Sequence, residues 1–302
     1  MEQVAYDEFS MFRENAEEYG IPYDGPPRVR REFVEIEPGR KLSALVWGTD
    51  DAELVFLHGG AQNAHTWDTV ALALGRPLVC IDLPGHGHSD GGRVGSLDLQ
   101  SNAEDVAVAV RALAPNASAV IGMSLGGMTT LALAKVAPEL VRRMVLVDIT
   151  PGVDGEKSSV IRAFIDGPES FPDFNEILAR TIEFNPTRSE ASLRRGILHN
   201  ALQREDGSWV WRYARFRADD QSADGGTFLD RIGDLWDVVS GLKMPVMLLR
   251  GMLPQSVVDD EDEAEFVRRQ PEARIEHVEG AGHSIQGDKP VELAGLISDF
   301  VK

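Results

Sequence analysis

The 302-residue chain predicts an α/β domain in which a parallel sheet carries helices on both faces and a mainly helical insertion interrupts the order. Three observations lead to that class. Short apolar runs ("ELVFLHG", "PLVCIDLPG", "SAVIGMS", "MVLVDITPG") alternate with helical segments, and strands apolar on both faces belong inside a parallel sheet. The alternation stops near Pro151 and resumes with "PVMLLRG". Between a predicted strand and a predicted helix lies the loop "GMSLG", a strand-turn-helix context that gives the pattern meaning.

The elements follow in order. A helix is expected over about Tyr6 to Tyr19, ended by the Pro/Gly break "IPYDGPP". "REFVEIEPG" and "KLSALVWG" read as a hairpin turning at Pro38-Gly39. Four apolar strands come next, with helices at "LQSNAEDVAVAVRALA" and "LGGMTTLALAKVAPEL" among them. Residues 152–242 hold helix-like pieces ("SSVIRAFI", "FNEILARTIEF", "SEASLRRGILHNALQ") and an aromatic stretch, "DGSWVWRYARF", with the alternation of an extended segment. The rhythm returns with a strand, a helix near "DDEDEAEFVRRQ", the strand "ARIEHVEG" and a closing helix. The expected division is 1–151 and 243–302 as the core domain, with 152–242 inserted.

Composition narrows the function. The net charge of -19, from 49 Asp+Glu against 30 Lys+Arg, repels phosphate backbones and anionic headgroups, so neither nucleic acid nor membrane is an expected partner. The single Cys80 forms no internal disulfide, and its apolar flanks read as a buried strand. The acidic start "MEQVAYDEFS" is unlike a secretory leader, and no run approaches the roughly 18 apolar residues of a membrane span. The expectation is a cytoplasmic protein, monomer or homodimer. No metal-ligand spacing and no phosphate-binding glycine motif is present, so no metal and no cofactor is expected.

The chemistry points to a serine. In "GMSLG" the glycines two residues either side of Ser124 relieve a strained turn that lifts the hydroxyl above the carboxyl edge of the sheet. The N–H of Leu125, at the helix start, faces charge developing there, and the glycine loop "LHGG" offers Gly60 as a second donor, with Ala61 as the alternative register. Among seven histidines, His283 in "GAGHS" follows a late strand on a short Gly-flanked loop, the place from which a base reaches Ser124. His58 reads as a structural hydrogen-bonding residue, and His277 alternates within a strand and also reads as structural. His86 and His88 read as turn residues with a backbone role, and His65 and His199 as pocket-lining or surface residues.

With "LHGG" at 58–61 (less its last residue), "DLPGHGHS" at 82–89, "GMSLGG" at 122–127 and "GAGHS" at 280–284, the chain resembles the α/β-hydrolase superfamily, in the family's order and over nearly everything outside the insertion. The resemblance implies an eight-stranded, mostly parallel sheet with a helical cap over the active site. It implies acyl transfer through an acyl-enzyme, which the residues support independently. Serine at 124, where a carboxylate would be needed, argues against the family's epoxide hydrolases and haloalkane dehalogenases.

The third triad member is less plain. Many relatives carry it after the strand that follows the cap, where this chain has Gln255. Asp259 and Asp260 are near, but "VVDDEDEAEF" reads as a helix start with an Asp N-cap. Asp148 ends the strand after the nucleophile helix, 148 − 124 = 24 residues on, and a subset of the superfamily resembles this placement. The expected catalytic set is Ser124, Asp148 and His283, with Asp259 and Asp260 as alternatives. The expected substrate is a small carboxylic ester, with a lactone, thioester or carbon–carbon bond hydrolysis as alternatives and a non-catalytic binding protein as the remaining class. Trp209, Trp211 and Tyr213 are read as anchoring the insertion or lining its pocket. Arg212, Arg215 and Arg217 read as a solvated face that could alternatively meet a substrate carboxylate.

Overall fold

The structure, a computed structural model, describes residues 4–91, 98–214 and 232–302. β1 (Val29–Glu37) and β2 (Arg40–Trp47) form the expected antiparallel hairpin, with Gly39 in the left-handed conformation the turn requires. β2 pairs antiparallel with β4 (Leu78–Ile81). Every later pairing is parallel, through β3 (Leu54–Leu57), β5 (Ala119–Met123), β6 (Met144–Val147), β10 (Val246–Gly251) and β11 (Arg274–Val278). The eight strands stand in the order β1-β2-β4-β3-β5-β6-β10-β11.

Successive strand residues point to opposite faces, and both faces are covered. Val55, Leu57, Val120, Leu146 and Leu248 join one apolar cluster with α3 (Leu99–Leu113) and α4 (Leu125–Val136). Phe56, Cys80, Ile121, Val145 and Leu249 join the other with α1 (Phe12–Tyr19), α2 (Asp68–Leu74) and the C-terminal helix Pro290–Phe300. Cys80 is therefore a core residue, and burial pushes its thiol pKa up. Among the described residues no helix is long and apolar enough to cross a membrane.

Two differences from the sequence reading have local causes. α1 begins at Phe12 rather than near Tyr6 because Asp7 closes a turn instead, its side chain accepting from Phe9 N–H and its carbonyl from Ser10. The inserted segment is not only helical. α5 (Ser159–Ile165), α6 (Phe174–Phe184) and α7 (Glu190–Asn200) accompany a three-stranded antiparallel sheet of β7 (Ser170–Phe171), β9 (Trp209–Trp211) and β8 (Ala201–Gln203). "ALQ", read as the end of a helix, turns extended at Ala201 and pairs with β9. The segment has its own apolar cluster, built on Phe171, Ile177, Leu193, Ile197 and Trp209. From Ile232 onward the chain packs on the main sheet's first face, through Leu235 and Val239 of α8 (Leu235–Gly241).

The glycines around Ser124 set how closely α4 approaches the sheet. A Cβ on Gly126 would stand 2.7 Å from the His58 carbonyl oxygen and closer still to that of Leu57, both backbone atoms that cannot swing aside. Gly126→Ala is expected to cost about 1–3 kcal/mol or more in urea denaturation. Gly295→Ala, mid-helix with open space around its Cβ, is expected to gain about 0.5–1 kcal/mol.

Candidate active site

Ladder register brings the functional positions together. Met123 of β5 and Leu249 of β10 both pair with Val147 of β6, so the chain leaves adjacent strands at Ser124 and Asp148. Ser124 N–H reaches back to Val147 O at 3.4 Å. Ser124 holds φ 51, ψ -118, a conformation costing about 1–3 kcal/mol outside glycine. Asp148, also left-handed at φ 48, is fully buried, and its carboxylate accepts four hydrogen bonds. Oδ1 takes Gly251 N–H (2.8 Å) and Ser256 Oγ (2.6 Å); Oδ2 takes Val257 N–H (3.0 Å) and His283 Nδ1 (2.9 Å).

His283 lies five residues beyond Val278, the last residue of β11. With Nδ1 on Asp148, its Nε2 is buried and has no hydrogen-bond partner among the described residues. Ser124, His283, Gly60 and Gln255 line one cavity of about 260 Å³. The alternative acids lie elsewhere. Asp259 is the N-cap of α9 (Asp260–Arg269) in a capping box with Asp262, and Asp260 is exposed and paired with Arg250. Gln255 is exposed at the cavity wall, while its neighbours Ser256 and Val257 turn inward onto Asp148.

The two candidate second donors differ in where each N–H goes. Ala61 N–H is donated to His86 Nε2 at 3.2 Å, whereas Gly60 N–H has no acceptor among the described residues. Leu125 is the first residue of α4, where the helix supplies no acceptor for its N–H.

A family profile for the alpha/beta hydrolase fold matches residues 53–290. The chain belongs to the α/β-hydrolase fold family. It is a hydrolase. Esterase Rv0045c of Mycobacterium tuberculosis is 43% identical over 305 residues, covering 98% of this chain and 96% of that protein. A crystal structure of that esterase superposes with a TM-score of 0.82 at 40% identity, covering 99% of each chain. A pimeloyl-[acyl-carrier protein] methyl ester esterase of Sodalis glossinidius is 30% identical over 273 residues, 86% of this chain and 98% of that one.

Two other histidines of this α/β-hydrolase have both ring nitrogens met by the backbone, whereas the Nε2 of His88 and that of His199 have no hydrogen-bond partner among the described residues. His58 donates from Nδ1 to Gly59 O and accepts Leu83 N–H at Nε2, and burial lowers its pKa. His86 does the same with Pro84 O and Ala61 N–H, and burial lowers it to about 3. His88 donates its backbone N–H to Asp82 Oδ2, and His277 pairs with Glu263 at the surface.

His65 and His199 form a cluster that sequence spacing does not reveal. Their rings stack at 3.8 Å and 11°, with Asp68 Oδ2 at 2.8 Å from His65 Nδ1 and Glu8 Oε2 at 3.4 Å from its Nε2. Ligand atoms of His65, Asp68 and His199 come within 4.8 Å of one another, the one such grouping among the described residues. Its fit to a metal is poor. Near-parallel rings aim their in-plane lone pairs side by side rather than at one point, and His65 Nδ1 is committed to Asp68.

Burial opposes charge on His65, but Asp68 and Glu8 outweigh it and hold the ring at about 9. Burial likewise raises Asp68, so the pair keeps its proton through neutral pH. His199, desolvated and beside that cation, is pushed well down and stays neutral.

The aromatic stretch divides its work. Trp211 lines the cavity, Trp209 sits in the insertion's own cluster, and Tyr213 stacks on His86. Arg212 is partly buried and reaches Ala201 O; Arg215 and Arg217 lie outside the described residues. Arg188, which the sequence reading passed over, lines the cavity.

Because the folded pKa of His65 lies above its ordinary 6.5, the stability it contributes is complete below that value and is lost as pH rises through about 9. The melting temperature of the wild type is expected to fall between pH 6.5 and 9. The slope is expected to flatten in His65→Gln, the difference reaching on the order of 2–3 kcal/mol.

Proposed function

We propose that the chain is a serine esterase of small carboxylic esters, working through Ser124, His283 and Asp148. The observation that carries this reading is the Asp148–His283 hydrogen bond of 2.9 Å, which fixes Nδ1 as the donor and leaves Nε2 as a free base beside the cavity that Ser124 lines. Two relatives named as esterases, at 43% and 30% identity, support the same bond class.

Each role follows from the geometry. Ser124 Oγ attacks the ester carbonyl while His283 Nε2 takes its proton. The imidazolium that forms is stabilised by Asp148, whose charge is held in place by Gly251, Ser256 and Val257. The N–H groups of Gly60 and Leu125 face the oxyanion, each contributing on the order of a hundred- to a thousand-fold in rate. The protonated His283 releases the alcohol, and water, deprotonated by the same Nε2, hydrolyses the acyl-enzyme. The inserted segment as far as Trp211 serves as the lid, and Ile161, Phe164, Ile165 and Trp211 give the acyl group an apolar wall. A small-molecule substrate in the cytoplasm, with no nucleic-acid or membrane partner, suits so acidic a chain.

Ser124→Ala is expected to abolish both p-nitrophenyl ester turnover and labelling by a fluorophosphonate. Asp148→Asn is expected to lower kcat by about ten-thousand-fold. Both oxygens accept only donors, so the amide N–H of asparagine faces another N–H or O–H in either orientation, and the variant also melts earlier. Near-normal turnover in Asp148→Asn together with an inactive Asp259→Asn would overturn the assignment.

A further inference from the structure

Four cations line the cavity, and three have carboxylate partners, His65 through Asp68 and Glu8. Lys157 pairs with Asp259 and Asp262, and Arg195 with Glu14 and Glu18. Arg188, in the connection between α6 and α7, has none among the described residues. Its one hydrogen bond to the protein runs from Nη2 to Ser192 Oγ at 2.6 Å, and its Nε is buried without a partner. The carboxylate that bears most on its charge, Asp288, is committed, with Oδ1 on Thr187 and Oδ2 on Gly282 N–H. A chain with 49 acidic residues does not lack carboxylates, yet Asp288 and Glu18 act on this guanidinium through space without pairing with it.

The surroundings make room for the group in a cavity that Ser124 and His283 also line. Gly287, in the helical turn Ile285–Asp288 directly after His283, packs against Arg188; a Cβ there would stand 3.0 Å from both Cζ and Nε. A side chain there would oblige the guanidinium to give by a few tenths of an ångström, so glycine lets it pack closely on the segment that carries the base. Burial pushes the Arg188 pKa down, with Tyr19 and Asp288 offsetting it and Arg195 adding to it, yet an arginine stays charged at neutral pH. A desolvated cation of this kind is costly until an anion meets it, and the planar Nε/Nη edge matches the two oxygens of a carboxylate.

Resting on the esterase reading above, we propose that Arg188 is a substrate-binding residue and that the enzyme's substrates are esters bearing a free carboxylate, which Arg188 holds while Ser124 attacks the ester carbonyl in the same cavity. The apolar wall then carries the methylene chain between the two polar ends.

The test compares matched substrates. Mono-p-nitrophenyl esters of succinate, glutarate and adipate place a carboxylate on the acyl side, and their neutral partners are p-nitrophenyl butyrate, valerate and hexanoate. 4-Butyryloxybenzoate against phenyl butyrate places it on the leaving group. Wild-type enzyme is expected to favour the anionic member by about tenfold or more in kcat/KM in one of the two series, which also tells the acyl side from the leaving side. Arg188→Met is expected to shrink that ratio by about ten- to a hundred-fold, chiefly through KM, and Arg188→Lys to retain part of it. Should Arg188→Met not fold, competitive inhibition of the wild type by glutarate or adipate stands in its place. A flat ratio in both series without dicarboxylate inhibition, or an equal loss on both substrate types in Arg188→Met, overturns the proposal. Neutral-ester turnover that survives Ser124→Ala instead overturns the esterase reading beneath it; turnover lost in Ser124→Ala with a flat ratio sinks the carboxylate subsite alone.

Discussion

A single buried carboxylate organises the site. Asp148 has no solvent exposure, and an ion so placed persists only if its lone pairs are met by donors. Four donors come from three separate places: Gly251 at the end of β10, Ser256 and Val257 in the loop after it, and His283 beyond β11. Binding them fixes how the β10 and β11 loops cross the carboxyl edge of the sheet, and with it the position of the histidine. Removing the charge therefore disturbs geometry as well as electrostatics, because the same hydrogen bonds do both.

That arrangement gives the stretch after β10 a different meaning from the one its acids suggest. Gln255, where the resemblance would place an acid, is exposed at the cavity wall, and Asp259 and Asp260 are taken up by a helix start and a surface ion pair. The loop has not lost its function. Instead of supplying a carboxylate it supplies donors to one, through Ser256 and Val257. A serine and a valine backbone opposite Asp148 are the complement of an acid that comes from β6.

Much of this was legible because it depends on local rules. Doubly apolar strands, the glycines that α4 needs at 122 and 126, and the placement of Ser124, Asp148 and His283 at strand ends follow from sequence order and a parallel sheet. What was not legible depends on contacts between distant segments. Ala201–Gln203 becomes a strand only because Trp209–Trp211 lies beside it. His65, Asp68 and His199 meet only when α7 closes over α2, and Tyr6 reaches His199 Nδ1 from before α1. Arg188 looked like any surface arginine, since nothing in its own sequence neighbourhood announces that no carboxylate pairs with it among the described residues.

The seven histidines show how partners rather than positions assign chemistry. His58 and His86 have both ring nitrogens satisfied by backbone, so neither has a lone pair to offer. His65 carries a proton it does not release near neutrality, because two carboxylates hold it. His199 is neutral and its Nε2 is unpartnered, but that nitrogen faces Asp68 at 3.8 Å, and its Nδ1 rests on a phenol rather than a carboxylate. A base that must become a cation in the transition state needs charge behind it and an open nitrogen in front. His283 has Asp148 behind and a free Nε2 in front, on the wall that Ser124 shares, and the acid that makes this possible is held by the loop from which the acid is missing.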